Sequence, residues 1–497
     1  MRYLRSPQTA IDPRPLALAA LVVLIAAPAL VHAQTFRLLH TFDDPTVTTE
    51  DQFGIDVAIQ DNHVLIGAFM DDTAGTDVGQ AHQFDATRGN LIRTIDDPNV
   101  TSGDRFGFSV AVDAGGLLIG DYWDDTNGLD NGRAYRFDAA TGNRLTTYDD
   151  PNVLGGDRFG YAVAFDGNHV LIGEPADMTQ GSFVGRAQLI NASTGAVIHT
   201  FDDPSATTAD QFGNAVAIDR NYILISDHSD DTYGLNVGRA HLFDAASGNL
   251  LRTFDDPNVT TADQFGYDVA IDGDHVLISD LYDDTDGPNA GRVHLFDAVT
   301  GNRLHTFQDP TPTALDTFGI AVAIDGNYVL IGDYADDTHG NNVGQAHLFD
   351  ATTGAFLQTF NDPTVTTEDH FGISVAIDGD RVLIGARWDD TQGTNVGQAH
   401  LFVRLPGDIN GDGVVDVADL ALVGAQWGTP GLDPLNADIA PALLGDDIVD
   451  VADLALVGAN WQTSTGPSTD ADATTVPTPT ALACGCLALT GLIRRRR

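Results

Sequence analysis

The stretch DQFGIDVAIQDNHVLIGAF begins at Asp51, and close variants of it begin at Asp104, Asp157, Asp210, Asp263, Asp316 and Asp369. The step is 53 residues each time, with no insertion or deletion. Such a period constrains the fold more than any local propensity. Every copy must form the same unit, and each unit must bury its apolar surface on its neighbours.

The copy that starts at Phe318 shows what the unit is. FGIAVAID alternates apolar and polar residues, which predicts a strand. Asp325-Gly326-Asn327 supplies the positive φ that a tight hairpin turn needs, and YVLIGDY reads as the second strand. The loop ADDTHGNNVG leads to a third strand, QAHLFDA; a short turn, TTGA, leads to a fourth, FLQTF. A four-stranded antiparallel meander apolar on both faces must stack between neighbours, as the blades of a β-propeller do.

The ends predict a closed ring. The last copy stops after its third strand, at QAHLFVRLPGD, while a surplus strand, FRLLHTFDDP, precedes the first copy from Phe36. The N-terminal strand can therefore complete the seventh blade and leave no sheet edge exposed. The expected fold is mainly β: a seven-bladed β-propeller over residues 35–404, followed by a small helical calcium-loop domain.

The Phe-Gly that opens each copy, with Gly67-Ala68, Gly173-Glu174-Pro175 and Gly385-Ala386 after the second strand, resembles FG-GAP repeats. Those repeats form the propeller of integrin α-subunits and of many bacterial surface proteins, so the resemblance implies binding or adhesion. Integrin-type blades carry calcium in a D-x-D-x-D-G loop between the first two strands. Here that connection is a short turn, as at Asp272-Gly273-Asp274, so that metal site does not transfer.

Composition sharpens the reading. The chain carries 71 acidic against 24 basic residues, a net charge of −47 that disfavours nucleic acid as a partner. Three of the acids are glutamate, at Glu50, Glu174 and Glu368; the rest are aspartate, a residue of turns and caps. The 2–3 loops carry Asp pairs, such as Asp71/Asp72 and Asp336/Asp337, and the 4–1 links carry Asp-Asp-Pro, as at Asp43-Asp44-Pro45. A meander places those two connections on one rim. About five carboxylates per blade then face that side, either capping turns or forming an acidic surface for a cation, a glycan or a cell-surface ligand. The histidines at His82, His241, His294, His347 and His400 recur at one strand position, which predicts packing. Near-identical copies offer no unequal carboxylate pair and no nucleophile beside a base, so no catalytic residue is expected.

After Arg404 the period breaks. Asp408, Asn410, Asp412, Asp416 and Asp419 occupy positions 1, 3, 5, 9 and 12 of a calcium loop; Gly413 stands at position 6 and the Val414 carbonyl at 7. Leu420, Val423 and Trp427 then follow at helical spacing. The pattern returns 34 residues later, where Asp446, Asp450 and Asp453 fit positions 5, 9 and 12, although Asp447 replaces the glycine, and Ala442 and Leu444 replace the first two ligands. The paired loop–helix over residues 405–463 resembles a type I dockerin. That resemblance implies bound Ca2+ and a cohesin-like partner chosen at Val417-Ala418 and Val451-Ala452, and it keeps open a role in a polysaccharide-degrading complex, as accessory part or hydrolase.

The termini read as addresses. Arg2, Arg5 and Arg14 precede an apolar run over residues 16–27, and Val31-His32-Ala33 fits a cleavage site, which predicts an export signal over residues 1–33. A polar linker spans residues 464–475. Val476-Pro477-Thr478-Pro479, an apolar run and Arg494 to Arg497 resemble a PEP-CTERM sorting tail over residues 476–497, with Thr478 where that motif has Glu. Membrane contact is expected only through this tail.

Overall fold

A computed structural model of the chain describes residues 36–113, 115–152, 155–312 and 315–405, together with Val415, Val417 and Leu420. Its described residues form 28 strands in seven four-stranded antiparallel sheets. The strand β1 (Arg37–Asp43) comes first, and the first complete blade follows as β2 (Phe53–Gln60), β3 (His63–Ala68), β4 (Gln80–Asp85) and β5 (Leu91–Asp96), paired in that order. Five more sheets repeat this meander, the third among them despite Glu174-Pro175 and Met178.

The seventh sheet is built from both ends of the propeller. Phe371–Asp378, Arg381–Ala386 and Gln398–Val403 lie in sequence, and β1 pairs antiparallel with the last of them. Leu38 stands opposite Phe402, Thr41 opposite His400 and Asp43 opposite Gln398. Leu39 falls where the register shifts, and it packs on the cluster that holds Phe42, Phe53 and Leu401. The ring predicted from the surplus strand therefore closes as expected.

Packing runs between sheets rather than within them. One cluster joins Leu383, Ala399 and Leu401 of the seventh blade to Phe53, Val64 and Ile66 of the first, across the closure. Second strands are sealed on both faces: Val64, Leu65 and Ile66 are all fully buried, each worth about 1.5–3 kcal/mol against exposure.

The Phe-Gly motif stitches neighbours together. The Phe106 ring is buried, and its N–H donates to the Val78 carbonyl of the preceding blade at 2.9 Å. Gly107 adopts φ +91°, and a Cβ there would lie 2.3 Å from the Gln80 carbonyl oxygen, so no larger residue fits. The first strand is shorter than predicted in four blades, although the same stitch at Phe53 leaves β2 at full length. In the sixth blade the Phe318 N–H is spent on Ala290 of the neighbour, and the strand begins only at Val322. On the opposite rim the last residue of a first strand latches the next hairpin turn: Asp272 accepts from the Gly326 N–H, and Asp378 from Asp61 across the closure, both at 2.7 Å.

Candidate binding site at the axial channel

The acidic connections do share one rim, but most of their charge points into the blades. In the first copy Asp44, Asp51 and Asp71 are buried, while Asp43 and Asp72 are exposed. The reason is turn chemistry. Asp71 Oδ1 accepts from the Thr73 N–H at 2.8 Å, Asp72 Oδ1 from Asp77 at 2.8 Å, and Asp44 Oδ1 from Thr46 at 2.8 Å. Capping is thus the common duty of these residues. Burial, and then neighbouring carboxylates, raise Asp44 to about 7. The expected acidic face is reduced to the outer aspartates. The recurring histidines pack as expected. His82 is buried, Nδ1 pairs with Thr94 Oγ1 at 3.1 Å, and burial lowers the ring to about 3, leaving it neutral.

A second candidate site lies on the axis. First strands of all seven blades surround a central cavity of about 300 Å3. The residue after each Phe-Gly lines it and varies between the copies: Ile55, Phe108, Tyr161, Asn214, Tyr267, Ile320 and Ile373. Residues that follow the second strands add to this on the 2–3 loop rim. Phe108, Tyr122 and Tyr161 form an aromatic wall, with ring centroids 4.5 to 5.3 Å apart. Arg105 lies over Trp123 at 3.7 Å, and its Nη1 donates to the Tyr122 hydroxyl at 2.9 Å. Across the ring His370 stacks on Trp388 at 3.9 Å and meets Tyr334 at 4.6 Å.

The electrostatics of this mouth are those of a partly dry, polar-edged pocket. Burial raises the Tyr267 hydroxyl, with Tyr161, Tyr282 and Tyr334 close enough to add to the rise. Burial lowers His370 to about 3, helped by the Arg387 guanidinium. Two carboxylates also face the channel, Asp56 raised to about 7 and Asp268 to about 6, both chiefly by burial. Each spends its oxygens on backbone. Asp56 accepts from the N–H groups of Val57 at 2.9 Å and Val110 at 2.7 Å; Asp268 accepts from Val269 at 2.9 Å and Val322 at 2.8 Å. They latch adjacent blades.

Six segments, residues 46–84, 93–137, 203–243, 256–296, 312–349 and 362–402, match the family described as FG-GAP repeat. The chain carries FG-GAP repeats. The matched segments fall in every blade of this FG-GAP propeller except the third, whose loop has Met178 in place of the second aspartate. No curated protein matches the chain. Among solved structures, the computationally designed Ika8 protein is similar to it at 15% identity, over 74% of this chain and 99% of that one, with a TM-score of 0.43. A likeness of that size adds nothing to the argument for the fold.

The residues predicted to bind calcium in the C-terminal module, Asp408, Asn410, Asp412, Val414, Asp416, Asp419, Asp446, Asp450 and Asp453, lie outside the described residues. Reading the sequence for chemistry repeated sevenfold missed the axial aromatics. The signal that finds them is the reverse: in near-identical copies, the positions that vary where all blades meet.

Proposed function

We propose that this protein is a non-catalytic binding protein, exported and held at or beyond a bacterial cell surface, that captures a glycan segment at its axial mouth. One observation carries the reading. Aromatic faces and tyrosine hydroxyls converge on the axis, at the positions where the seven copies differ. Flat aromatic faces suit the C–H faces of a sugar ring, and hydroxyls at their edges suit its polar rim. Propellers host many activities, and function resides in the site that the fold carries. The latching role of Asp56 and Asp268 supports binding without turnover.

Export follows from the signal pattern of residues 1–33, and sorting from the tail resemblance of residues 476–497. The dockerin-like segment 405–463 adds a calcium-dependent attachment to a cohesin-like partner, with Asp408, Asp412 and Asp419 among its ligands.

A glycan array probed with the full chain, alongside Tyr267→Ala and Trp388→Ala, tests the central reading. Retained glycans that both variants release are expected. Equal retention by both variants, or release of cleaved sugar from the captured glycan, refutes it. Calcium titration of the full chain and of Asp412→Ala tests attachment: the variant is expected to lose a bound ion, and an unchanged count refutes that site.

A further inference from the structure

The sixth blade departs from its sisters in charge balance. In five copies the second strand ends in an acid, at Asp121, Glu174, Asp227, Asp280 and Asp333, whereas the first and seventh end in Ala68 and Ala386. The residue opening the third strand changes in step. It is Arg133, Arg186, Arg239 and Arg292 in the second to fifth blades, and Gln80 and Gln398 where alanine stands. Each arginine reaches a carboxylate of its own cluster: Arg133 lies 3.8 Å from Asp124, Arg186 3.7 Å from Asp177, Arg239 3.8 Å from Asp230 and Arg292 3.5 Å from Asp283. The sixth blade keeps the extra acid, Asp333, but pairs it with Gln345. The Gln345 amide donates to Asn361 at 2.9 Å and brings no charge.

A second observation points to a ligand. Asp333 is fully buried, and neither of its carboxylate oxygens has a hydrogen-bond partner, as holds also for Asp121, Asp227 and Asp280; Asp309 Oδ2 is orphaned beside it, and here no arginine opens the third strand to offset the charge. Leaving such groups unpaired in the interior is destabilising, and more so when they are charged. One oxygen from each of Asp309, Asp316, Asp333 and Asp336 lies within 4.8 Å of the others. Calcium binds oxygens at about 2.3–2.6 Å, so ligands on opposite sides of the ion stand about 4.8 Å apart. Four carboxylates are a hard, all-oxygen donor set, which favours Ca2+ over softer metals.

We propose that the sixth blade binds a calcium ion through Asp309, Asp316, Asp333 and Asp336. This site is separate from the C-terminal loops and from the short hairpin turns between first and second strands. The ion ties the link entering the blade, which carries Asp309 and Asp316, to the end of its second strand at Asp333. Asp333 adjoins Tyr334, whose ring meets His370 at the axial mouth, so the ion also fixes one wall of the pocket.

The sister blades supply the variants. Asp333→Ala installs the residue of the first and seventh blades, and Gln345→Arg that of the second to fifth. Ala68→Asp gives the first blade the combination found in the sixth. Calcium bound per full chain is counted by equilibrium dialysis, with circular dichroism in EDTA as a control for folding. Asp333→Ala and Gln345→Arg are each expected to lose one equivalent relative to the wild type, and Ala68→Asp to gain one. An unchanged count in both loss variants overturns the proposal, as does retention of zinc in preference to calcium. Should Asp333→Ala fail to fold, Gln345→Arg and Ala68→Asp still decide. Glycan capture measured in EDTA keeps failure of this site distinct from failure of the axial reading.

Discussion

Replacing Phe42 by alanine tests the closure of the ring quantitatively. Phe42 lies on β1, is 1% exposed, stands opposite Ala399 and packs on Phe84 with ring centroids 4.8 Å apart. Phe254 holds the same place in the fourth blade: it is 3% exposed, opposite Ala240, and 5.0 Å from Phe296. Truncating a buried phenylalanine to alanine costs about 3–5 kcal/mol. If β1 is a full member of the seventh sheet, Phe42→Ala and Phe254→Ala cost the same within that range, although Phe42 is separated from its sheet partner by most of the chain. Unfolding entropy is about 2.1 cal/mol/K per residue, so for a propeller of roughly 370 residues the expected fall in Tm is about 4–6 °C. Urea melts followed by circular dichroism read the change directly. A loss below about 0.5 kcal/mol for Phe42→Ala, beside a full loss for Phe254→Ala, refutes the closure.

Gly79→Ala places a Cβ 2.2 Å from the Phe106 carbonyl oxygen at a backbone φ of +84°, so a loss of at least about 2 kcal/mol is expected in the same assay; a neutral result contradicts the stitch between blades. The buried carboxylates set a pH dependence. Asp44, Asp97, Asp256, Asp309 and Asp362 are raised to about 7, first by burial, above an unfolded value of 3.8. Their contribution to stability is complete below the unfolded value and is lost as pH rises through about 7. In EDTA, Tm is therefore expected to fall between pH 5 and pH 8, and calcium to reduce the fall; a Tm that rises across this window contradicts the burial. Asp138, Asp244 and Asp297 lie below their ordinary value through hydrogen bonds to Thr141, Ser247 and Thr300, so their opposite effect appears only at more acid pH, below about 4.

The frame was legible because it depends on period. A fixed step, a Gly-Asn turn at Gly326 and an unmatched strand at Phe36 state a closed ring without reference to any long-range contact. Direction was not legible. Asp44 and Asp72 look alike in sequence, yet one faces inward and the other solvent. That choice depends on which backbone N–H each caps, a three-dimensional fact. The axial site was hidden for a different reason. Tyr161 and Tyr267 sit within an alternating strand pattern, where an aromatic reads as core. Only the convergence of seven first strands brings them onto one cavity.

The claim that ligand binds on the axis, and not on the outer acidic loops, has a direct measurement. Hydroxyl-radical footprinting of the full chain, with and without a glycan captured on the array, reports each tyrosine separately. Tyr161, Tyr267 and Tyr334 should become protected, while Tyr233, which is 53% exposed on an outer loop, should be oxidised equally in both states. Protection of Tyr233 with no change at the three axial tyrosines would contradict the account.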